Sequence, residues 1–264
     1  MGNNTGPLLC LEGISKSFGG VSVLRDLDLK IDAASLVGMI GPNGSGKSTL
    51  INLVSGFLRP NSGQIWFQEQ EITHAHPHAV ARAGIARTYQ QIRIFPQVAV
   101  WENLALAFES PLRERLRYAL WPFHMHSDEE ARSRSIDMLS TVDLDSHAEV
   151  QAGNLSHGQR RLLAILRAVA RDADLYLFDE PTSGVFPGIK ERILSLFQRL
   201  QSQGKSILFV EHDMDTVRRG AKRVVLLDRG KIRADGETEE VLSSDVVRSA
   251  YFGDSDTHGN LTDS

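Results

Sequence analysis

The sequence predicts an α/β protein with a mostly parallel sheet, an N-terminal antiparallel β-subdomain and an inserted α-helical subdomain. Three observations support this prediction. Short β-rich runs separated by turns fill the first third, helical patterns dominate the middle, and strands alternate with helices in the last third. With 264 residues, 41% of them hydrophobic, the chain is long enough to bury a large core.

The strand pattern is clearest near the N-terminus. Residues 8–14 and 23–31 predict two strands joined by a turn, and residues 36–40 form an apolar run typical of a buried strand. A glycine-rich turn follows and leads into a predicted helix at residues 47–55. Gly56 stands where glycine commonly ends a helix.

The middle of the chain carries helical patterns instead. Residues 100–108 and 127–142 predict two helices, and Ser127 followed by Glu130 predicts a capping box at the start of the second. Residues 96–159 are therefore interpreted as a helical subdomain inserted into the α/β domain.

The last third returns to the α/β pattern. Residues 175–178 and 206–210 are apolar runs of the kind found in parallel sheets covered on both faces. Predicted helices at residues 158–170 and 189–203 precede and separate these runs. The pattern fits a sheet whose strands are joined by crossover helices.

These patterns predict one cassette built from three parts. Residues 1–95 and 160–235 form the α/β core together with its β-subdomain, and residues 96–159 form the helical subdomain. Residues 236–264 form a C-terminal helical extension and a polar tail.

Composition and charge exclude several classes of protein. The net charge of −4 comes without a basic stripe, so no nucleic-acid partner is expected. The single cysteine, Cys10, rules out disulfides within the chain and fits a reducing compartment. The start of the sequence lacks a secretory signal, and no apolar run approaches the roughly 20 residues of a membrane-spanning helix. If the protein acts at a membrane, we therefore expect it to bind there through partner proteins.

A glycine-rich stretch between the predicted strand at 36–40 and the helix at 47–55 matches the pattern G-x-x-x-x-G-K-[ST]. Small residues let successive backbone N–H groups turn toward phosphates, and the following helix directs the positive end of its dipole at them. Lys47 is expected to reach the β- and γ-phosphates, and the Ser48 hydroxyl to hold Mg²⁺. The nucleotide-binding residues predicted here are Gly41, Pro42, Asn43, Gly44, Ser45, Gly46, Lys47, Ser48 and Thr49.

A second candidate site stands at the end of the predicted strand at 175–178. Asp179 is placed to hold Mg²⁺ through its water shell, as a Walker-B aspartate does. Glu180 comes one residue later, points elsewhere and can polarise an attacking water. Paired with the phosphate loop, these carboxylates predict a P-loop NTPase that uses ATP and Mg²⁺.

Residues 154–159 read Asn-Leu-Ser-His-Gly-Gln and stand shortly before Asp179. With the phosphate loop, this order resembles the ABC ATPase family, whose signature reads LSGGQ, from about residue 9 to residue 253. The resemblance implies a RecA-like core and a head-to-tail dimer that traps two ATP molecules. In such a dimer the signature of one subunit closes over the phosphate loop of the other. The residues implied to bind ATP in trans are Ser156, Gly158 and Gln159.

Three further positions match the family one by one. Phe18 stands where an aromatic residue stacks on adenine, although a core phenylalanine at a strand end is an equal alternative. Gln90 resembles the Q-loop glutamine that senses Mg²⁺ and water, and the adjacent Gln91 leaves the register open by one residue. His212 resembles the switch histidine that contacts the γ-phosphate. The implied catalytic residues are Glu180, His212, Lys47 and Gln90, and the implied metal ligands are Ser48, Gln90 and Asp179.

Two positions depart from the family pattern. His157 stands where the signature usually has glycine, so its side chain must point away from the nucleotide. Phe186 is the fourth residue of the D-loop, where aspartate is usual, and it cannot accept a hydrogen bond. Polar crosstalk between the two ATP sites is therefore in question. An active site is still expected, because the catalytic residues themselves are intact.

Residues 84–90, 211–214 and 246–253 look like the ATPases of branched-chain amino acid importers, whereas the LSHGQ variant is similar to urea and short-chain amide importers. The resemblance thus implies an ATP-hydrolysing subunit that energises uptake of a small polar solute. The implied partners are a second ABC ATPase (self or paralogue), two transmembrane permease subunits, and a periplasmic or lipid-anchored solute-binding protein. The expected location is the cytoplasmic face of the bacterial inner membrane.

Two alternatives from other classes stay open. A soluble ABC ATPase without a transport role is one, although the sequence lacks both the coiled-coil insertion of chromosome types and the fused second copy of translation types. A pseudo-ATPase that holds ATP without turnover is the other, and Phe186 is its support.

Overall fold

The computed structural model describes residues 6–88, 91–108 and 125–252. Near the N-terminus, four strands form an antiparallel sheet in the order β2-β1-β4-β5. These strands are β1 (Leu9–Phe18), β2 (Val21–Ile31), β4 (Ser62–Phe67) and β5 (Gln70–Glu71).

A second sheet of six strands has the order β10-β9-β3-β8-β7-β6. Every neighbouring pair is parallel except β9 and β10, which form a terminal hairpin. The strands are β3 (Leu36–Ile40), β6 (Ile85–Arg87), β7 (Leu175–Asp179), β8 (Ser206–Val210), β9 (Arg223–Asp228) and β10 (Lys231–Glu237). The fold class is the predicted one: α/β, with a mostly parallel sheet, an antiparallel sheet and a helical subdomain.

Nine α-helices lie in the described part of the chain. They are α1 (Lys47–Val54), α2 (Pro77–Ala83), α3 (Val100–Phe108), α4 (Met125–Ser140), α5 (His157–Val169), α6 (Pro187–Ser202), α7 (Met214–Gly220), α8 (Thr238–Ser243) and α9 (Asp245–Phe252). None of the helices in that part is long and apolar enough to span a membrane.

The three central strands β3, β7 and β8 are buried along their whole length. Their alternating side chains enter two apolar clusters, because successive residues of a strand face opposite sides of the sheet. One cluster contains Leu177 and Leu208 together with α1 and the antiparallel sheet. The other contains Phe178 and Phe209 together with the helices, and there Phe178 stacks on Phe197 with ring centroids 4.6 Å apart. The sheet is thus a rigid base covered on both faces.

The predicted start of the second helix in the middle segment was wrong. Helix α4 begins at Met125, so Ser127 lies inside the first turn and cannot be the N-cap of a capping box. The spacing of Ser127 and Glu130 fits the motif, but a helix continues upstream wherever the preceding residues also accept helical backbone angles. The predicted helix at 100–108 and the predicted strands at 36–40 and 206–210 have the observed bounds.

Candidate active site

The site forms where the carboxyl ends of four parallel strands meet. In the sheet register, Met39 of β3 and Asp179 of β7 both pair with Val210 of β8, and Arg87 of β6 pairs with Leu177. The segments that follow these strands therefore leave the sheet at one edge. Such an edge, where parallel strands end, is the usual place for ligand sites in open α/β sheets.

The phosphate loop joins β3 to α1 through a strained turn that requires glycine. Gly41 has a φ of 153° and lies so close to β9 that an added Cβ would stand 2.0 Å from the Leu227 carbonyl oxygen. Gly46 is the N-cap of α1 with a φ of 112°, and a Cβ there would meet Leu24 at 2.6 Å. No other residue type fits these two positions, so the glycines of the motif shape the loop itself.

Lys47 is folded over the loop that precedes it. Its ammonium donates to the carbonyl oxygens of Gly41 at 2.6 Å and Pro42 at 2.9 Å. Burial lowers the pKa of Lys47, while the carboxylates of Glu180 and Asp179 act in the opposite direction. The lysine is thus a half-buried cation held between the loop and the acidic ends of the strands.

Asp179 is the last residue of β7 and is only 5% exposed. Burial raises its pKa, and the guanidinium of Arg87, 3.9 Å away, is the largest influence that lowers it. Arg87 also donates to the Asn52 side chain at 2.6 Å and to the Ser55 hydroxyl at 2.9 Å. The carboxylate therefore sits in a pocket with fixed positive charge nearby, which favours the ionised form.

Glu180 adopts a left-handed backbone conformation with a φ of 50°, which is costly for a residue other than glycine. Its N–H donates to the Val210 carbonyl at 3.0 Å, which ties the turn to the neighbouring strand. The side chain is 29% exposed, and its Oε1 lies 3.9 Å from Nδ1 of His212. The turn thus presents a glutamate and a histidine together at the edge of the sheet, and backbone strain of this kind clusters at functional sites.

Glu211, next to His212, is a buried carboxylate that the sequence did not single out. It is 1% exposed, and its Oε1 accepts from both the backbone N–H of Thr182 at 2.8 Å and the Thr182 hydroxyl at 2.7 Å. Burial raises its pKa, and the two hydrogen bonds from Thr182 oppose that rise. Among the described residues, its other oxygen, Oε2, has no hydrogen-bond partner. The side chain therefore joins the turn after β7 to the segment after β8.

Two positions predicted from the resemblance have different outcomes. Phe18 ends β1 and is 45% exposed with the Lys16 ammonium 5.2 Å from its ring centre, so it is not a core phenylalanine. An exposed aromatic ring of this kind can stack on a base. Gln90 lies outside the described residues, and Gln91 beside it is exposed.

The signature segment caps the N-terminus of α5. The Ser156 hydroxyl accepts from the backbone N–H of Gln159 at 3.3 Å, and the side-chain Oε1 of Gln159 accepts from the backbone N–H of Ser156 at 2.8 Å, which completes a capping box. Gly158 packs against α6, where an added Cβ would stand 2.9 Å from Ile189. His157 is exposed and faces Gly184 of the neighbouring turn. The histidine is therefore accommodated at the surface without distorting the helix.

Phe186 is the N-cap of α6 and is 83% exposed, the largest value among the exposed apolar side chains of the described residues. The turn before it, with Gly184 at a φ of 69°, projects the ring away from the core. The ring therefore contributes little to the packing of the described residues.

Comparison with known proteins identifies the class of protein. The family model described as ABC transporter matches residues 24–183, which run from the second strand through the phosphate loop, the signature and Asp179. The chain belongs to the ABC transporter family, as one of its ATP-binding cassettes. The ATPase activity and nucleotide binding of this class follow for the chain.

Two curated relatives agree in their names. The chain is 35% identical over 250 residues to the probable branched-chain amino acid transport ATP-binding protein LivG of Archaeoglobus fulgidus, covering 95% of this chain and 97% of the relative. It is 33% identical to the high-affinity branched-chain amino acid transport ATP-binding protein BraF of Pseudomonas aeruginosa, covering 94% and 98%. The resemblance stated from the sequence motifs is confirmed.

Solved structures give the same answer for the fold. A nucleotide-free ATP-binding cassette from an ABC transporter is 31% identical, with a TM-score of 0.80, and the match covers 94% of this chain and 100% of the other. The ADP conformation of another such cassette is 33% identical, also with a TM-score of 0.80, over 94% and 99% of the two chains. A dimeric cassette bound to ADP and Pi is 26% identical, with a TM-score of 0.73, over 87% and 98%.

Proposed function

We propose that this chain is the ATP-hydrolysing subunit of an importer for a small polar solute, with branched-chain amino acids as the solute class. The observation that carries the proposal is the meeting of Lys47, Asp179 and Glu180 with His212 at one edge of the sheet. Phosphoryl transfer needs positioning and electrostatic stabilisation more than covalent chemistry, and these groups supply both.

Each side chain has a role in the proposed reaction. Glu180 accepts a proton from the water whose oxygen attacks the γ-phosphorus, and His212 contacts the γ-phosphate. The bond between the γ-phosphorus and the β–γ bridging oxygen breaks, and ADP leaves with its electron pair. Lys47 neutralises charge on the β- and γ-phosphates, the backbone N–H groups of the loop from Asn43 to Thr49 hold them, and Phe18 stacks on the adenine.

The residues present also fit a bound Mg²⁺. Ser48 offers a hydroxyl at the start of α1, and Asp179 offers a buried carboxylate, which is the oxygen donor set that Mg²⁺ prefers. Gln90 is the third ligand implied by the resemblance. When bound, the ion would neutralise negative charge on the phosphate oxygens.

The second half of each ATP site is proposed to come from a partner cassette, either a copy of this chain or a paralogue. Ser156, Gly158 and Gln159 stand at the positive end of the α5 dipole, which suits a γ-phosphate. Because this helix end completes the electrostatic stabilisation in trans, an isolated subunit would hydrolyse ATP slowly.

The permease is proposed to dock in a cleft of about 520 Å³ beside the Q-loop. Apolar and basic side chains line it, among them Phe57, Leu106, Arg93 and Arg167. Such a lining suits a short amphipathic helix that carries an acidic residue. Two permease subunits and a periplasmic or lipid-anchored solute-binding protein would complete the importer, and the cassette would lie at the cytoplasmic face of the bacterial inner membrane.

We also propose that the cassette divides into a core, a helical subdomain and a C-terminal extension. Residues 1–95 and 160–235 would form the ATP-binding core with its β-subdomain, and residues 96–159 would form the helical subdomain that carries the signature. Residues 236–264 would form the C-terminal extension. Limited proteolysis with and without Mg-ATP tests this division through protection of the predicted junctions.

The catalytic proposal is tested by a Glu180→Gln variant. Loss of the proton acceptor should stop hydrolysis while leaving ATP binding intact, so Mg-ATP should convert the variant into a stable dimer in light scattering. Glu239→Gln is the matched control, because Glu239 is 73% exposed, pairs with Arg218 and is not among the residues proposed to bind or hydrolyse ATP. Failure of Mg-ATP to change the dimer population of Glu180→Gln would contradict the proposal.

The solute is tested by uptake in cells that lack this gene. Complementation with the wild-type chain, but not with Glu180→Gln, should restore uptake of labelled leucine, isoleucine and valine. Restored uptake of urea or acetamide instead would support the related urea and short-chain amide branch. If no solute depends on the chain and it co-purifies with no hydrophobic permease, a soluble ABC ATPase without transport replaces the proposal.

A further inference from the structure

Tyr251, in the C-terminal helix α9, reaches the first residue of the phosphate loop. The backbone N–H of Gly41 donates to the Tyr251 hydroxyl at 2.8 Å. We propose that Tyr251 is a positioning residue that holds the phosphate loop in its nucleotide-binding form, so that docking of α9 sets nucleotide affinity. This inference rests on the proposed function, because it requires the loop to bind a nucleotide.

The helix that carries Tyr251 is anchored independently of the loop. Val247 of α9 is buried, and Ala250 and the Tyr251 ring pack against the same apolar cluster. The preceding helix α8 is fixed at its start, where the buried Thr238 hydroxyl donates to the Ala221 carbonyl at 2.8 Å. The core therefore holds the tyrosine in place, and the hydroxyl acts on the loop from a fixed position.

Two other contacts of the loop come from the hairpin of β9 and β10. The N–H of Gly230, in the turn between β9 and β10, donates to the Ser45 carbonyl at 3.1 Å, and Gly41 itself lies against the carbonyl of Leu227. Neither contact uses the N–H of Gly41. Tyr251 is thus the group that fixes the peptide plane by which the chain leaves β3 and enters the loop.

The orientation of that plane bears on phosphate binding. An anion nest works only when successive N–H groups converge, so each amide must either face the phosphates or be fixed away from them. The N–H of Gly41 is fixed away, on the phenol oxygen, while the carbonyl of the same residue accepts from Lys47. Both sides of Gly41 are therefore held by side chains, one of them 210 residues away in sequence.

The chemistry of the phenol suits this role at neutral pH. Burial raises the pKa of Tyr251 above its usual value, and the hydrogen bond from Gly41 opposes that rise. The side chain is therefore neutral in the physiological range, and its oxygen accepts the Gly41 N–H without bringing negative charge toward the phosphates.

Tyr176 provides a matched control within the same chain. Its hydroxyl also binds backbone, accepting from Ala173 N–H at 3.0 Å and donating to the Val169 carbonyl at 3.2 Å. It lies near the amino end of β7, opposite the edge that carries Asp179. Tyr176→Phe therefore removes an equivalent hydroxyl without touching the phosphate loop.

The experiment compares the full-length wild type with Tyr251→Phe and Tyr176→Phe. Dissociation constants for Mg-ATP and Mg-ADP are measured by competition with a fluorescent nucleotide, alongside thermal unfolding. Loss of one backbone hydrogen bond should weaken both nucleotides by about three- to tenfold in Tyr251→Phe, because the loop holds phosphates common to both. Amide exchange of the peptide that contains Gly41 should also become faster. Tyr176→Phe should bind both nucleotides as the wild type does, even if its unfolding midpoint falls.

The possible results separate the two proposals. If the wild type binds neither nucleotide, the proposed function itself fails. If the wild type binds both and Tyr251→Phe binds them with unchanged affinity, the positioning role is wrong. Equal weakening in the two variants would also overturn it, because the effect would then follow general stability rather than the phosphate loop.

Discussion

Single residues at the carboxyl edge of the sheet owe their properties to what surrounds them. Asp213 caps α7 by accepting from the N–H of Asp215 at 3.2 Å, and its carboxylate also accepts from the Lys190 ammonium at 2.6 Å and the Thr216 hydroxyl at 2.7 Å. These hydrogen bonds, with Lys190 first, lower its pKa to about 2. One carboxylate thus fixes the helix that follows His212 against α6.

Replacing Asp213 by Ala should destabilise the protein in a pH-dependent way. The pKa is lower in the folded state than the 3.8 of a free aspartate side chain, so the charged side chain stabilises the fold fully above about pH 4, and that contribution is lost as pH falls toward 2. At pH 7 the free energy of unfolding in urea should fall by about 1 kcal/mol, the usual effect of losing an N-cap. The difference in the free energy of unfolding between the variant and the wild type should become smaller between pH 4 and pH 3.

Asp215→Ala serves as the control for that measurement. Asp215 stands in the first turn of the same helix, but its carboxylate is 71% exposed and lies 3.9 Å from Arg219. Exposed ion pairs of this kind contribute little to stability. The free energy of unfolding should therefore change by less than about 0.5 kcal/mol, both at pH 7 and between pH 4 and pH 3. A loss equal to that of Asp213→Ala would show that the cap is not the cause.

At the level of elements, the N-terminus of α5 has two separable tasks. Ser156 closes a capping box within its own subunit, and in the proposed dimer the same residue faces the γ-phosphate bound to the partner. An aspartate is as good an N-cap as serine, but it carries a negative charge. Substitution at this one position can therefore keep the helix and change only the electrostatics.

Ser156→Asp should leave the free energy of unfolding within about 0.5 kcal/mol of the wild type, because the cap is retained. Combined with Glu180→Gln, it should abolish the ATP-driven dimer seen by light scattering, since its carboxylate would repel the γ-phosphate. Ser156→Asn is the neutral partner of this pair and should still dimerise. Equal dimerisation of the Asp and Asn variants would mean that this helix end does not meet a phosphate.

Elements with a strong local pattern could be predicted from the sequence, and elements that depend on distant contacts could not. The continuous apolar runs at β3 and β8 predict buried strands, and the observed bounds of both strands match the prediction. Strand β6 has three residues and exists because β7 offers a pairing edge, and α2 has only seven. Neither is long enough to show a period.

The candidate site divides in the same way. Lys47, Asp179 and Glu180 lie in motifs that can be read locally, and the structure places them together. Arg87 and Glu211 stand inside segments that resemble the importer ATPases. Their contacts with Asp179 and Thr182, however, depend on strand register. No local pattern reports such a contact, because it forms only when the sheet assembles.

At the scale of the whole molecule, the most exposed large apolar side chain of the described residues lies outside the core. Phe186 is 83% exposed, although full burial of a phenylalanine side chain typically stabilises by about 1.5–3 kcal/mol. In the proposed head-to-tail dimer this turn lies between the two ATP sites. An apolar contact there would replace the polar crosstalk that the usual aspartate provides.

Phe186→Ala should therefore act on association and not on folding, because alanine, like phenylalanine, has no side-chain oxygen to cap α6. Thermal unfolding of the monomer should be unchanged, because the ring makes few contacts in its own subunit. On the Glu180→Gln background, the dissociation constant of the ATP-bound dimer should rise about tenfold, the equivalent of roughly 1.4 kcal/mol, in analytical ultracentrifugation. The dissociation constant should rise less in Phe186→Leu, because that variant keeps an apolar side chain. A pseudo-ATPase would show no ATP-dependent dimer in any of these variants.

The buried carboxylate of Glu211 gives this edge a mechanical property. One of its oxygens grips Thr182, four residues before Phe186, while its backbone leads directly to His212. A displacement of Phe186 by a neighbouring subunit would be transmitted through the hydrogen bonds between Thr182 and Glu211 to His212. Docking of a second cassette against Phe186 is thus linked, through one buried side chain, to the histidine proposed to contact the γ-phosphate.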